Sequence, residues 1–244
     1  MAGAARTSSG GFRRWMERYP FLPALLILAV LLALNGFYQP RSVSLVGITG
    51  LVKTYLALML LAVAQTYVVY AGDIDLSVGA IVSLVNCVIV VLMQYMGGTA
   101  FSALGAIGVG LAVGLACGLV NGLLVATFRL QAIVATFATS IFFTGIALYI
   151  LPVAGLPAPA AFWRTYGGRF LDIPFVFYVA VVLAVILWAM ARTRLVMRLL
   201  AVGDDAQRAF QSGLPVTAIR VRGYVMTGLF SALAAFCVTG DTAS

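Results

Sequence analysis

Histidine is absent from this chain of 244 residues, and lysine occurs once, as Lys53. The first absence excludes histidine acid/base chemistry, histidine-ligated metals and the Ser-His and Cys-His nucleophile arrangements. Charge of either sign is scarce, at 9% of residues, where soluble domains carry about 25%. Cysteine is nearly as rare. Cys87, Cys117 and Cys237 each fall inside an apolar stretch, with no CxxC pair. They read as small buried apolar side chains without a disulfide. No glycine directly precedes Lys53, so the phosphate-cradling pattern GxxxxGK followed by Ser or Thr is missing. That excludes ATP hydrolysis by a P-loop in this chain.

Apolar residues are what the chain has in excess, at 63%, against about 45–50% in soluble domains. The fold class that follows is an all-α integral membrane protein, a polytopic helical bundle. A span needs about 20 apolar residues. Seven segments qualify or nearly so: 21–38, 48–70, 78–96, 101–126, 131–151, 173–191 and 223–240. They are too long, and alternate too little, for barrel strands. No repeat or low-complexity linker divides them, so residues 21–240 read as one membrane domain. Residues 1–20 read as a basic cytoplasmic tail leading into an uncleaved span.

Net charge is +8. On a soluble protein that could signal nucleic acid, but here the basic residues punctuate apolar runs and report orientation. With the N-terminus cytoplasmic, inner connections hold Arg6, Arg13, Arg14, Arg18, Arg129, Arg192, Arg194, Arg198, Arg208, Arg220 and Arg222. Outer ones hold Arg41, Arg164 and Arg169, while Lys53 snorkels near the outer end of the second span.

Four features stand out along the spans. Gly72-Asp73-Ile74-Asp75-Leu76-Ser77-Val78-Gly79 interrupts two apolar runs. Its carboxylates could hold a divalent ion or act as an acid/base pair. The plainer reading is a helix boundary, with Gly72 ending one span and Asp75 or Ser77 capping the next. Gly110, Gly114, Gly118 and Gly122 recur at every fourth position, a smooth stripe for close helix contact. Thr136, Thr139, Ser140 and Thr144 share one face of the fifth span, near Phe137, Phe142, Phe143 and Tyr149. With Asn121 they could line a path for an uncharged polyol, or serve helix–helix hydrogen bonding. The amides Asn35, Gln65, Asn86 and Gln94 leave the same two readings open.

The fourth feature is the basic connection 192–222. Asp204 is a good N-cap, Asp205 falls in the first turn, and Gly213 with Pro215 marks the stop. These predict a short helix over Asp205–Ser212, with Ala206, Ala209 and Phe210 as its apolar face. Physically it could lie on lipid or dock in a groove of another protein. No ionisable residue lies deep in a span, which argues against proton coupling.

Taken together, the Gly72–Gly79 run, Val120-Asn121-Gly122-Leu123-Leu124, and Ala201-Val202-Gly203-Asp204-Asp205 leading to Ser212-Gly213-Leu214-Pro215-Val216 resemble the membrane permease subunits of bacterial monosaccharide ABC importers. The likeness extends over roughly residues 20–240. It implies an inner-membrane transport subunit, not an enzyme, for a neutral sugar. It implies a cassette ATPase on the cytoplasmic side that carries ATP and Mg, a periplasmic sugar-binding protein, and a second permease subunit, identical or not. This chain would need no cofactor of its own and would touch lipid but no nucleic acid. The resemblance turns Gly203–Gly213 toward ATPase docking, with 192–222 as the coupling loop. It makes Gly72, Asp73, Asp75, Ser77 and Gly79 a family motif of structural or gating role. It also implies a longer chain, so residues 241–244 read as a truncation. Two other classes remain open from the residues themselves: a membrane-embedded enzyme using Asp73 and Asp75, and an ion-coupled carrier.

Overall fold

The computed structural model describes Tyr19, Phe21–Val153 and 155–242. Most of the basic tail, with Arg6, Arg13, Arg14 and Arg18, and residues 243–244 lie outside the described residues. The chain divides into two compact units, Met1–Leu51 and Val52–Ser244.

In the first unit, α1 covers Leu22–Tyr38, with Pro23 in its first turn, where a missing N–H costs nothing. A short 3-10 turn, Pro40–Val43, leads to Ser44. The Ser44 hydroxyl accepts from the Gly47 N–H at 3.2 Å and so caps α2, Leu45–Tyr70.

The second unit is built from the rest of α2 and from α3 (Val78–Tyr95), α4 (Ala100–Gly122), α5 (Ala132–Ile150), α6 (Ala160–Gly167), α7 (Phe175–Ala191), α8 (Arg194–Asp204), α9 (Ala206–Gln211) and α10 (Val216–Thr242). Helix α10 is the axis of this unit. Its Ile219, Phe230 and Ala234 join a core with Leu60 and Tyr67 of α2, Val176 of α7 and Leu199 of α8. Tyr67 and Phe230 stack with ring centroids 5.6 Å apart. Its Ala232 and Ala235 join a second core with Ile81, Val85 and Ile89 of α3, Ala106 of α4 and Phe143 of α5.

The glycine stripe explains how α4 approaches α10. A methyl group at Gly114 would meet the Ala232 Cβ at 2.6 Å and the Gly228 carbonyl oxygen at 2.7 Å. One at Gly122 would meet the Val221 Cα at 3.0 Å, and one at Gly118 would run into the Tyr224 carbonyl. Gly110 faces Ile89 and Phe236. Backbone-to-backbone approach is open to a helix face with no Cβ and closed to any other.

Each of the seven apolar segments is helical, but the span count changes. Among the described residues five helices are long and apolar enough to cross a membrane: α2, α3, α4 with its continuation, α5 and α10. Helix α1 has 17 residues, and about 1.5 Å per residue leaves it short of a hydrocarbon core about 30 Å thick. Helix α7, also of 17 residues, reaches span length only together with α8, across a 59° bend. The last span begins at Val216, not at 223, with the Pro215 carbonyl accepting its first helical bond from Ile219.

Besides the 3-10 turn Pro40–Val43 and helix α8 inside the basic connection, three local elements have no counterpart in the sequence analysis. Helix α4 runs into a π-helical turn, Leu123–Thr127, and the chain reverses at Arg129 with φ +58°. The proline-rich connection forms α6 and a small hairpin, Arg169–Phe170 against Ile173–Pro174. Its two loop residues, Leu171 and Asp172, both take positive φ, as a tight hairpin turn requires. Of the cysteines, Cys117 and Cys237 are buried and Cys87 is partly exposed; all three are free thiols.

Candidate functional site: the turn between α2 and α3

Gly72 ends α2 as expected. It takes φ +80°, and the Asp73 N–H returns to the Val68 carbonyl at 3.1 Å. Beyond it the capping expectation fails. Ser77 stands at the N-cap of α3 in helical geometry, without a side-chain cap bond. Its N–H and its hydroxyl both donate instead to Asp75 Oδ1, at 2.7 and 2.6 Å. Asp75 therefore folds the turn on itself and leaves the helix end alone.

The turn is then tied to its surroundings. Asn121 of α4, wholly buried, donates its amide to Ser77 Oγ at 2.6 Å. The Leu76 N–H donates to Thr136 Oγ1 of α5 at 3.0 Å. Gln65 of α2 donates to the Asp75 carbonyl at 2.7 Å. Asp75 is 1% exposed. Burial pushes its carboxyl above the usual carboxylate range, and the bonds from Ser77 and Asn121 pull against that. The bundle thus holds an ionisable group in its interior after all, in a turn between spans where hydropathy does not register it.

Asp73 makes the strongest contact. Arg220, in the first turns of α10, grips its carboxylate with two nitrogens: Nη2 donates to Oδ1 at 2.6 Å and to Oδ2 at 2.7 Å, and Nε donates to Oδ2 at 3.1 Å. The Asp73 side chain is 8% exposed and that of Arg220 26%. From the sequence alone Arg220 is only a charge in the basic connection. Nothing local connects two residues so far apart, so no sequence signal could have paired them.

The backbone of Gly203, near the end of α8, lies against the Tyr70 carbonyl and 3.6 Å in this sense from the Gly72 turn: a Cβ on Gly72 would sit 3.6 Å from Gly203. The basic connection and the Gly72–Ser77 turn therefore share one end of the unit. Arg220 and Arg129 line a cleft of about 380 Å³ there, with Ala206 and Phe210 on its walls.

The short helix needs three corrections. Asp204 closes α8 and does not cap α9. Asp205 is the cap, its Oδ1 accepting from the N–H groups of Gln207 at 2.9 Å and Arg208 at 3.0 Å. Extended backbone at Asp205 (φ −156°) breaks the helix there, so α8 uses Asp204 as its last turn. The helix has six residues, and its apolar face divides: Ala209 is buried, while Ala206 is exposed and Phe210 is 71% exposed. Gly213 ends it at φ +79°.

The hydroxyls of α5 do not form one lining. Thr136 and Thr139 are buried and bond to α5 carbonyls, Thr136 also to the motif turn. Ser140 is partly exposed, and Thr144, exposed, bonds back to the Ser140 carbonyl at 2.8 Å. Gly79 has open space where a Cβ would be. Gln94 donates to the Pro157 carbonyl and Asn86 accepts from Thr239, so these amides join elements within the unit.

A family model described as "Branched-chain amino acid transport system / permease component" matches residues 47–244. The chain belongs to this family. Among similar proteins, the ribose import permease protein of Bacillus subtilis (strain 168) is 35% identical over 90% of this chain and 67% of its own length. Autoinducer 2 import system permease proteins of Yersinia pseudotuberculosis (serotype O:1b, strain IP 31758) and Yersinia pestis (strain Pestoides F) are 32% and 30% identical, over 86% of this chain and 60% of theirs. No solved structure matches the chain. As a member of this permease family, the chain is an all-α multi-pass membrane protein whose relatives are import permeases.

Proposed function

We propose that this chain forms the greater part of the transmembrane subunit of an ATP-driven importer in the bacterial inner membrane, and that its cargo is a neutral monosaccharide. The relatives support this, one being a permease for ribose. The observation in this chain that carries it is Phe210: a large apolar side chain, 71% exposed, on a capped helix held against the arginine-rich end of the bundle. A cassette ATPase with ATP and Mg is the partner that would cover it, with a groove receiving the aromatic knob. This end is then the cytoplasmic one, as the arginines require. A periplasmic sugar-binding protein and a second permease subunit complete the proposed assembly.

In this reading ATP is hydrolysed by that partner, because the sequence given has no P-loop. The enzyme reading loses one of its two candidate acids, since Asp73 is committed to Arg220. The test is ATP-dependent uptake into vesicles holding the chain with its neighbouring ATPase and binding protein, with ribose and autoinducer 2 as separate cargoes. Uptake of either on ATP, surviving collapse of ion gradients, supports the importer. Uptake that follows an ion gradient and ignores ATP overturns it. Phe210→Asp should reduce ATPase co-purification while leaving the helical content unchanged.

A further inference from the structure

The Gly72–Ser77 turn is tied to five helices. Gln65 ties it to α2, Asn121 to α4, Thr136 to α5 and Arg220 to α10, while Gly203 of α8 presses on it backbone to backbone. Four of these five ties are hydrogen bonds or ion pairs of fixed direction. Helix α9 leaves the end of α8 through a single residue, Asp205, whose side chain is fixed by capping. A displacement of α9 therefore has little slack before it reaches Gly203, and through Gly203 the turn. Of the five ties, the Asp73–Arg220 pair is the one that joins the turn to α10, the axis of the unit. It is also the most directional, because a guanidinium fork and a carboxylate meet in a plane.

We propose that Asp73 and Arg220 are positioning residues for transport. Their pair locks the turn to the start of α10, so that movement of the α8–α9 segment is delivered to α2 and α10 together. This rests on the importer reading and deepens it by naming the joint through which a docked ATPase acts. The pair is assigned a positioning role, not one of binding cargo or nucleotide. Its loss should separate docking from transport: the ATPase stays bound and hydrolyses ATP, and less cargo moves for each ATP consumed.

The experiment uses the chain in complex with its ATPase in vesicles, as wild type, Asp73→Arg, Arg220→Asp, Arg220→Lys and the double exchange Asp73→Arg/Arg220→Asp. Three quantities are read: ATPase retained, cargo moved per ATP, and the distance distribution between spin labels at exposed Ile74 and Gln207. The single reversals should keep the ATPase, lower cargo per ATP about tenfold and broaden the label distances. Arg220→Lys, which keeps the charge and loses the fork, should fall between. The double exchange should recover most of both the coupling and the narrow distribution. Wild-type coupling in the single reversals overturns the proposal. So does a well-folded double exchange no better than its parents. If the reversals do not fold, Arg220→Lys decides: unchanged coupling and unchanged distances count against the joint. If wild type moves no cargo on ATP, the importer reading fails by itself. The joint is then judged on label distances, where an unaltered distribution in Arg220→Asp overturns it.

Discussion

Asp73 and Arg220 stand 147 positions apart in sequence and meet in a two-pronged ion pair at the arginine-rich end of the bundle. The two partners are unequally buried, at 8% and 26% of side-chain exposure. That inequality makes their substitutions unequal. Arg220→Ala leaves a carboxylate enclosed and unpaired, whereas Asp73→Ala leaves a guanidinium that can reach water along its long stem. Arg220→Ala should cost about 3 kcal/mol and Asp73→Ala about 1–2 kcal/mol. Thermal unfolding of the two variants in detergent compares them directly, and the reverse order would contradict the geometry.

The two faces of α4 predict opposite responses to the same change. Gly118→Ala forces a methyl group into the Tyr224 carbonyl of α10. It should destabilise by about 1–3 kcal/mol through overpacking. Gly108, on the same helix, has nothing within 4 Å of its Cβ position. There Ala should be neutral or stabilising by up to about 1 kcal/mol, from helix propensity alone. Paired melting curves of these variants separate packing from propensity.

Gly203→Ala should act on a narrower scale. The new Cβ would collide with the Tyr70 carbonyl, which can yield only if α8 lifts from the end of α2. Leu199 and Val202, both buried on α8, should then become accessible. Cysteine substituted at Val202 would react with a thiol reagent faster in the Gly203→Ala background than without it. Equal rates would mean that α8 stays in place.

Asp75 sets a pH dependence. Its carboxyl is raised by burial. A carboxyl raised on folding contributes stability that is fully present below its unfolded pKa and is lost as pH climbs through the higher folded value. Stability should therefore decline as pH rises from acid through the range just above ordinary carboxylates. Asp75→Asn should flatten that part of the profile, since its amide oxygen still accepts from Ser77 and no charge develops. Unfolding midpoints measured over a pH series in both proteins test this; identical slopes would exclude Asp75 as the source.

Much of the fold was legible beforehand. Runs of apolar residues about 20 long can satisfy their backbone in lipid only as helices, and all seven are helical. The glycine stripe was legible for the same local reason. Its period matches the helix, and its only use is close approach. The span count was less secure, because 17-residue α1 and α7 sit at the margin where length alone does not decide. The cap of α9 moved by one residue, since Asp204 and Asp205 are equally good caps in isolation. Which one serves depends on where α8 stops, and α8 stops at the extended backbone of Asp205.

The site divides along the same line. The sequence marked Gly72–Gly79 and Gly203–Gly213 as two separate features, and family likeness alone ranked them. It also marked Asn121 and Thr136, and left open whether they line a polar path or bond helix to helix. Their burial against Ser77 and Leu76 is a property of how α4 and α5 cross the turn.

What the sequence by itself determined is the solvent. Its 63% apolar content and long uncharged runs place the chain in a bilayer as helices, and the sequence given holds no P-loop motif. These are sums over composition and local spacing, so they need no knowledge of neighbours. Only the tertiary structure decided that Asp73 belongs to Arg220 and that Gly72 meets Gly203. Such pairs are chosen by the packing of distant helices, and the free energy that selects them is a property of the assembled bundle rather than of any segment.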